Sequence, residues 1–161
     1  MEDARFEDGT PERPLRLKAE TNDDLVVIST LVQDAVAQTS DMSWLSKKHR
    51  FALLLNRFRW EDADAAQKAD RPFERVQSMM TIESVLSVQG QGVDPSDEDI
   101  ALDLLSISFE ESEDAAGKVM LTFSGDGAIA LDVECLDVTL LDMSRPYQAR
   151  AQRRPSHPED A

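Results

Sequence analysis

An alternating pattern of apolar and polar residues on both sides of a Gly-Asp-Gly turn most constrains the fold of this chain. The segment reads VMLTFSGDGAIALDV (119–133), and branched or aromatic side chains stand at every second position: Val119, Leu121, Phe123, Ile129, Leu131 and Val133. A period of two is typical of strands, and a short glycine-containing turn between two such runs predicts a β-hairpin. A phosphate-binding loop would need the glycines to open a helix, which the alternation through Asp132 contradicts.

Period-two patterns in other segments predict further strands. We expect a short first strand over 15–19, two strands within 35–60 around the polar turn 46–49, and a strand run over 76–88. The residues expected on one side of that run are Val76, Met80, Ile82, Leu86 and Val88. The strand over 50–60 is apolar on both faces, which predicts a central place in the sheet.

Two shifts of the alternation interrupt the later strands. The apolar positions move by one residue between Leu104 and Leu105, which predicts a β-bulge because two residues then oppose one. A second shift after Val133 predicts either another bulge near 134–135 or a bend into another part of the sheet. A helix over 133–143 is the alternative, since its apolar spacing also suits a helix.

The segment 21–32 carries the clearest helical pattern. Apolar residues recur at helical spacing from Leu25 onward, and Thr21 or Asn22 can cap the first turn. The polar segment 61–72 is expected to be a mobile loop that could hold a helical turn. The patterns together predict an α+β fold: a predominantly antiparallel sheet of about seven to eight strands, curled into a barrel or split into a sandwich, with one N-terminal amphipathic helix.

The charge of the chain predicts an acidic folded body. The net charge is −15, and −14 remains when 1–13 and 144–161 are set aside. Such a body repels nucleic acid and anionic lipid, so neither nucleic acid nor a membrane is an expected partner. We expect a flexible leader over 1–14, a single globular domain over 15–147 and a basic, disordered tail over 148–161.

The sequence also predicts a cytoplasmic location. The opening stretch, MEDARFEDGTPERP, is acidic and polar, unlike a secretory signal with its basic start and apolar middle. No apolar run approaches the roughly 20 residues of a membrane helix. Cys135 is the single cysteine, so no intramolecular disulfide can form, which agrees with a reducing compartment.

No residue set in the sequence predicts catalysis, a cofactor or a metal. His49 lies in a basic turn and His157 between prolines, and neither belongs to a nucleophile motif. The acidic segment 94–103 lacks the glycine and the final glutamate that a calcium-binding EF-hand loop needs. Cys135 follows Glu134, which disfavours a thiolate, so we expect a buried small residue.

Basic residues concentrate within 47–75 despite the acidic total. The candidate surface for an anionic small molecule or a protein partner comprises His49, Arg50, Arg57, Phe58, Arg59, Trp60 and Arg75. The alternative is that these cations neutralise neighbouring acids, including Glu61, Asp62 and the segment 94–103.

Several strings in the chain resemble an uncharacterised bacterial family known as domain of unknown function 2948. They are VQDAV (32–36), RFALLLNRFRWE (50–61), FERV (73–76), LLSISFE (104–110), FSGDGAIALDVECLDVTLLDM (123–143) and PYQAR (146–150). The resemblance covers most of 15–150. It implies a small cytoplasmic bacterial protein, and it carries over no catalytic or binding residue.

Three functions follow as hypotheses from these patterns. The leading one is a non-enzymatic binding or assembly module that works through the basic and aromatic surface on 50–60. The alternative is a ligand-binding barrel or an enzyme with a pocket inside the sheet, using Arg59, Glu61 or Glu134. The third is self-association through an edge strand.

Overall fold

A computed structural model describes residues 14–93, 100–149 and 155, and the strands in these ranges form one antiparallel sheet. In chain order the elements are β1 (Arg16–Ala19), α1 (Asn22–Leu31), β2 (Ala35–Leu45), a 3₁₀ turn (Ser46–Lys48), β3 (Arg50–Phe58), α2 (Trp60–Lys68), β4 (Glu74–Ile82), β5 (Val85–Gln91), β6 (Ala101–Glu111), β7 (Gly117–Phe123), β8 (Gly127–Val133), β9 (Val138–Asp142) and β10 (Tyr147–Gln148). The strand order is β1-β9-β4-β3-β2-β6-β7-β8-β5, and β10 pairs with β4.

The predicted α+β class with a mainly antiparallel sheet is confirmed, but its details need correction. The described sheet has ten strands rather than about seven or eight, and it is open, with β1 and β5 at its two ends, rather than a closed barrel. One reason for the larger count is that the run predicted over 76–88 divides into β4 and β5. The described chain also has a second helix, α2.

The hairpin and the bulge are confirmed by the strand register. β7 and β8 pair from Gly117↔Val133 to Phe123↔Gly127, and the turn between them uses a positive φ of 75° at Gly125. In β6, Leu104 opposes Phe123 and Ser106 opposes Thr122. Leu105 is therefore the extra residue that shifts the alternation.

The chain bends sharply at two places, and both bends carry it from one part of the sheet to another. Only residues 83–84 separate β4 from β5, although these strands are third and ninth in the sheet order. Likewise, β8 pairs with β5 and β7, whereas β9 pairs with β1 and β4. The shift after Val133 is therefore a bend followed by a strand, and the helix over 133–143 is ruled out.

The bend at Ser84 explains why Leu86 does not share the buried side of the sheet predicted for it. Ser84 has a positive φ of 58°, and the alternation does not continue through it. Val76, Met80 and Ile82 are buried as predicted, whereas Leu86 is 52% exposed. Connections as short as these require the sheet to curl, and this curl brings the loops at the two bends together.

The sequence pattern predicts the first helix more clearly than the second. Helix α1 begins as predicted: Thr21 Oγ1 accepts a hydrogen bond from Asp24 N at 3.2 Å, and Leu25 is buried on the sheet. Helix α2 replaces the loop predicted over 61–72. Its buried side carries the small residues Ala63 and Ala66, so it lacks the large apolar stripe that marks α1.

Strand β3 is central, between β2 and β4, as its two apolar faces predict. Phe51, Leu53 and Leu55 face the core, and the same alternation places Arg57 on that face. The strand thus carries a cation into the interior. This sets up the charged cluster described below.

The sheet continues slightly beyond residue 147. Tyr147 pairs with Arg75, Gln148 pairs with Glu74, and Ala149 N donates to Phe73 O at 2.8 Å. Nearly all of the predicted leader and most of the predicted tail lie outside the described residues. No helix in the described ranges has the length and apolar character needed to cross a membrane.

Candidate functional site

The residues predicted as a binding surface lie at the two ends of β3, not on one face. His49 and Arg50 are at its start, and the other members are at its end: Arg57, Phe58, Arg59, Trp60 and Arg75. Arg57 is 0%, Phe58 1% and Arg59 7% exposed. These three residues are therefore interior groups and do not form an exposed surface.

The guanidinium of Arg57 is fully engaged by its own chain. Its two Nη atoms donate to Glu61 Oε1 and Oε2 at 2.9 and 3.0 Å, and Nη2 also donates to Asp142 Oδ1 at 3.1 Å. Its Nε donates to Ser78 Oγ at 3.0 Å, and that hydroxyl donates to Asp142 Oδ1 at 2.7 Å. We call Arg57, Glu61, Ser78 and Asp142 the Arg57 network. It joins β3, α2, β4 and β9.

A second arginine extends the pairing. Arg59 forms ion pairs with Glu74, with Glu61 at 3.5 Å and with Asp62 at 3.7 Å. Arg71 pairs with both carboxylate oxygens of Asp62 at 3.1 Å. The contacts therefore match the alternative in which the cations neutralise Glu61 and Asp62, whereas much of the segment 94–103 lies outside the described residues.

The aromatic residues at this end of β3 pack around Phe58. The Phe58 ring lies 4.7 Å from the Trp60 ring and 5.6 Å from the Phe73 ring, centroid to centroid. The guanidinium carbon of Arg75 lies 5.9 Å from the Phe58 centroid, and Trp60 Nε1 donates to Gln33 O at 2.9 Å. These contacts anchor α2 and the chain before β2 to the sheet.

The Arg57 network shifts two pKa values in opposite directions. Burial would lower the pKa of Arg57, but hydrogen bonds and charge from Glu61 and Asp142 outweigh it and raise that pKa. Burial would raise the pKa of Glu61, but the hydrogen bonds and charge of Arg57 outweigh it and hold that pKa below its ordinary value of 4.5. Both groups are therefore charged at neutral pH.

We expect acid to weaken the fold partly through Glu61. Its pKa is lower in the folded than in the unfolded chain, so its contribution is complete above about pH 4.5 and is lost as the pH falls through the folded value. Urea unfolding between pH 7 and pH 3 should show wild type losing stability faster than Glu61→Gln, so that the two proteins converge at low pH. A constant difference between them would contradict this assignment.

A polar cleft lies at the other end of β3. Its volume is about 510 Å³, and its lining residues are Lys18, Lys48, His49, Glu83, Ser84, Glu134, Asp137 and Thr139. Backbone hydrogen bonds join its walls: Val85 N donates to His49 O at 2.8 Å, and Glu134 N donates to Ser84 O at 2.9 Å. The two chain bends and the β2–β3 turn therefore meet here.

Two lining residues adopt an unusual backbone conformation. His49 has φ 53° and Ser84 has φ 58°, both in the left-handed region that non-glycine residues seldom occupy. His49 Nδ1 lies 3.2 Å from Val85 O, and since a carbonyl can only accept, Nδ1 carries the proton. Nε2 is therefore the ring nitrogen that remains for a ligand.

The charges that line the cleft are only partly paired. Arg50 Nε is 2.9 Å from Glu83 Oε2, and Lys18 Nζ is 3.8 Å from Asp137 Oδ1. For Lys48 and Glu134 no ion pair is found within the described part of the chain. The cleft therefore offers one cation and one carboxylate to a ligand.

The thiol of Cys135 lies beside this cleft. Cys135 is a free cysteine and is half-buried. Its Sγ lies 3.7 Å from Ser84 Oγ. Within 14–93, 100–149 and 155, no group of three or more His, Cys, Asp and Glu residues is placed to hold a metal ion.

Sequence reasoning named His49 and Glu134 but did not place them together. The cleft draws Lys18, Ser84 and Thr139 from three further segments. The sequence does contain a signal for this cleft: the alternation is interrupted near Ser84 and after Val133. These interruptions mark the two bends that form the cleft.

A family model described as "Protein of unknown function (DUF2948)" matches residues 15–157. The chain belongs to this family. No curated protein and no solved structure matches it. The DUF2948 match includes both helices, the described sheet, the Arg57 network and the polar cleft.

Proposed function

We propose that this DUF2948 chain is a cytoplasmic, non-enzymatic binding module whose ligand site is the polar cleft. The observation that carries the proposal is the pair of Lys48 and Glu134, which line one cleft without an ion pair among the described residues. The ligand class that complements one cation and one carboxylate is a small zwitterion, such as a free amino acid. Its carboxylate would face Lys48 and its ammonium group would face Glu134.

The charge balance of the cleft favours a zwitterion over a simple anion. Two lysines, Lys18 and Lys48, line the cleft with three carboxylates, those of Glu83, Glu134 and Asp137. Arg50, which lies outside the lining, pairs with Glu83. A simple anion would approach Lys48 but would also meet these carboxylates, inside a protein of net charge −15. A zwitterion satisfies both signs and adds no net charge.

Neutral polar groups complete the site. Ser84 and Thr139 line the cleft with hydroxyls that can donate or accept, and His49 Nε2 is a further hydrogen-bonding group. The hydrogen bonds among 49, 84, 85 and 134 hold the walls together, so little ordering is needed on binding.

The proposal predicts that zwitterions bind and that small ions carrying only the carboxylate or only the ammonium group do not. Isothermal titration calorimetry with a panel of amino acids, with acetate and methylammonium as controls, measures this directly. We expect Lys48→Met and Glu134→Gln each to weaken binding of an amino acid by about tenfold or more, as for a lost charged contact of about 1.4 kcal/mol.

Two matched variants test whether the loss is local. Lys118 and Asp132 form an exposed pair on β7 and β8 at 3.9 Å, so Lys118→Met and Asp132→Asn make the same changes away from the cleft. Both should bind as wild type does. Failure of every amino acid to bind, or an equal loss in the control variants, would refute the proposed site.

A further inference from the structure

Strand β6 has a strand neighbour on both sides only over its first part. Residues 101–104 pair with β2, whereas 104–111 pair with β7. Within the described chain, the β2 side of 105–111 therefore has no strand partner. Helix α1 lies beside this edge, since Ile107 N donates to Ser29 Oγ at 3.2 Å.

The direction of the free backbone groups follows from two contacts. Ser112 N donates to Ala116 O within the β6–β7 hairpin, so even-numbered residues direct their backbone toward β7. Ile107 N points the other way, toward α1. Phe109 and Glu111 share its parity, so their N–H and C=O groups face the open side of the edge.

A groove runs between this edge and α1. Its volume is about 420 Å³, and it is lined by Asn22, Leu25, Val26, Ser29, Thr30, Gln33 and residues 105–109. Val26 is 63% exposed and, like Phe109, lines the groove with an apolar side chain. A groove with a helix on one side and an open strand edge on the other suits an extended chain added as a strand.

The charge around the groove indicates the chemistry of that chain. None of these lining residues is charged. The exposed acids Asp23 and Glu110 lie next in sequence to the lining residues Asn22 and Phe109, and the exposed acid Glu111 follows Glu110. The complement of an uncharged groove flanked by exposed acids, in a protein of net charge −15, is a basic segment.

We propose that this groove binds an extended basic peptide segment of another protein, which adds to the open edge of β6 beside α1. Backbone pairing with Phe109 and Glu111 would hold the segment, its alternate apolar side chains would contact Val26, and its lysines or arginines would face the acids. A second copy of the chain fits less well, because two bodies of charge −15 repel. This inference does not depend on the proposed zwitterion site.

Fluorescence anisotropy with labelled synthetic peptides tests the binding mode. The probe is a peptide of alternating lysine and valine, and its controls replace every lysine by glutamate or place proline at every second residue. We expect both controls to bind at least about tenfold more weakly, because one reverses the charge and the other removes the donors and the extended pairing. Equal binding of the proline control would overturn the strand-addition mode.

Variants of the protein locate the site. Glu111→Pro and Glu111→Gln both remove the acid, but only proline removes the outward N–H, and proline is tolerated at such an edge position. We expect the proline variant to bind the basic probe at least about fivefold more weakly than the glutamine variant. Should Glu111→Pro not fold, Glu110→Lys should weaken binding about three- to tenfold while Asp41→Lys, on β2, leaves it unchanged.

Equal binding by the proline and glutamine variants, or equal losses in Glu110→Lys and Asp41→Lys, would overturn the proposal. So would a wild-type dimer in light scattering that Glu111→Pro dissociates, since the edge would then serve a second copy of this chain.

Discussion

Replacing Arg57 with methionine lowers the free energy of unfolding by about 3–5 kcal/mol. The guanidinium is completely buried, and its removal leaves the carboxylates of Glu61 and Asp142 facing each other without their shared cation. Ser78 also loses the donor that its hydroxyl accepts from. Urea unfolding followed by circular dichroism at pH 7 measures the change.

Two controls distinguish the effect of disrupting the Arg57 network from the effect of removing any arginine. Arg16 is exposed on β1, so Arg16→Met should change stability by no more than about 0.5 kcal/mol. Adding Glu61→Gln and Asp142→Asn to Arg57→Met should restore part of the loss, because the Arg57 network then contains no uncompensated charge. A mild effect of Arg57→Met alone, close to that of Arg16→Met, would show that the network does not support the fold.

The network also bears on function. Arg57, Arg59 and Arg71 already meet four carboxylates of the same chain: Glu61, Asp62, Glu74 and Asp142. An external anion would have to displace these contacts. The ends of β3 therefore have different roles, with a structural cluster at one end and the cleft proposed for a ligand at the other.

The parts of the fold that the sequence predicts well are those governed by local alternation. The β7–β8 hairpin, the extra residue Leu105 and the start of α1 each depend on a few neighbouring residues. Side-chain direction in a strand and capping at a helix start are local properties, so they can be inferred from a short stretch.

The parts that were missed depend on distant residues. Arg57 is read from sequence as exposed because arginine is seldom fully buried without a partner. Its partner Asp142 is 85 positions away and comes into contact only after β3, β4 and β9 pair. Helix α2 was expected only as a helical turn within a loop, because its buried residues Ala63 and Ala66 are small and form no large apolar stripe.

The candidate cleft shows the same limit. His49, Ser84 and Glu134 come from three loops, and only the curl of the sheet brings them together. Each loop could be recognised as an interruption in a strand pattern. Their meeting point follows from the strand order, which the alternation does not specify.

Replacing Phe58 with alanine distinguishes an interior anchor from the exposed binding residue predicted from sequence. Phe58 is 1% exposed and packs against Trp60, Phe73 and Arg75, so Phe58→Ala should lower the free energy of unfolding by about 3–5 kcal/mol. Leu86 is 52% exposed on β5, and Leu86→Ala should cost less than about 1 kcal/mol. Chemical denaturation at one pH compares the two variants.

The outcome for Phe58 also decides how binding data at this end of β3 should be interpreted. With Phe58 as an anchor, weaker binding by a Phe58 or Arg57 variant reflects partial unfolding, and it should recover when the temperature is lowered enough to keep the variant folded. With Phe58 as a surface residue, stability would hardly change while binding was lost. The burial of Phe58 under Trp60 and Phe73 leads us to expect the first result, so variants at Lys48 and Glu134 are the ones that report on a ligand site.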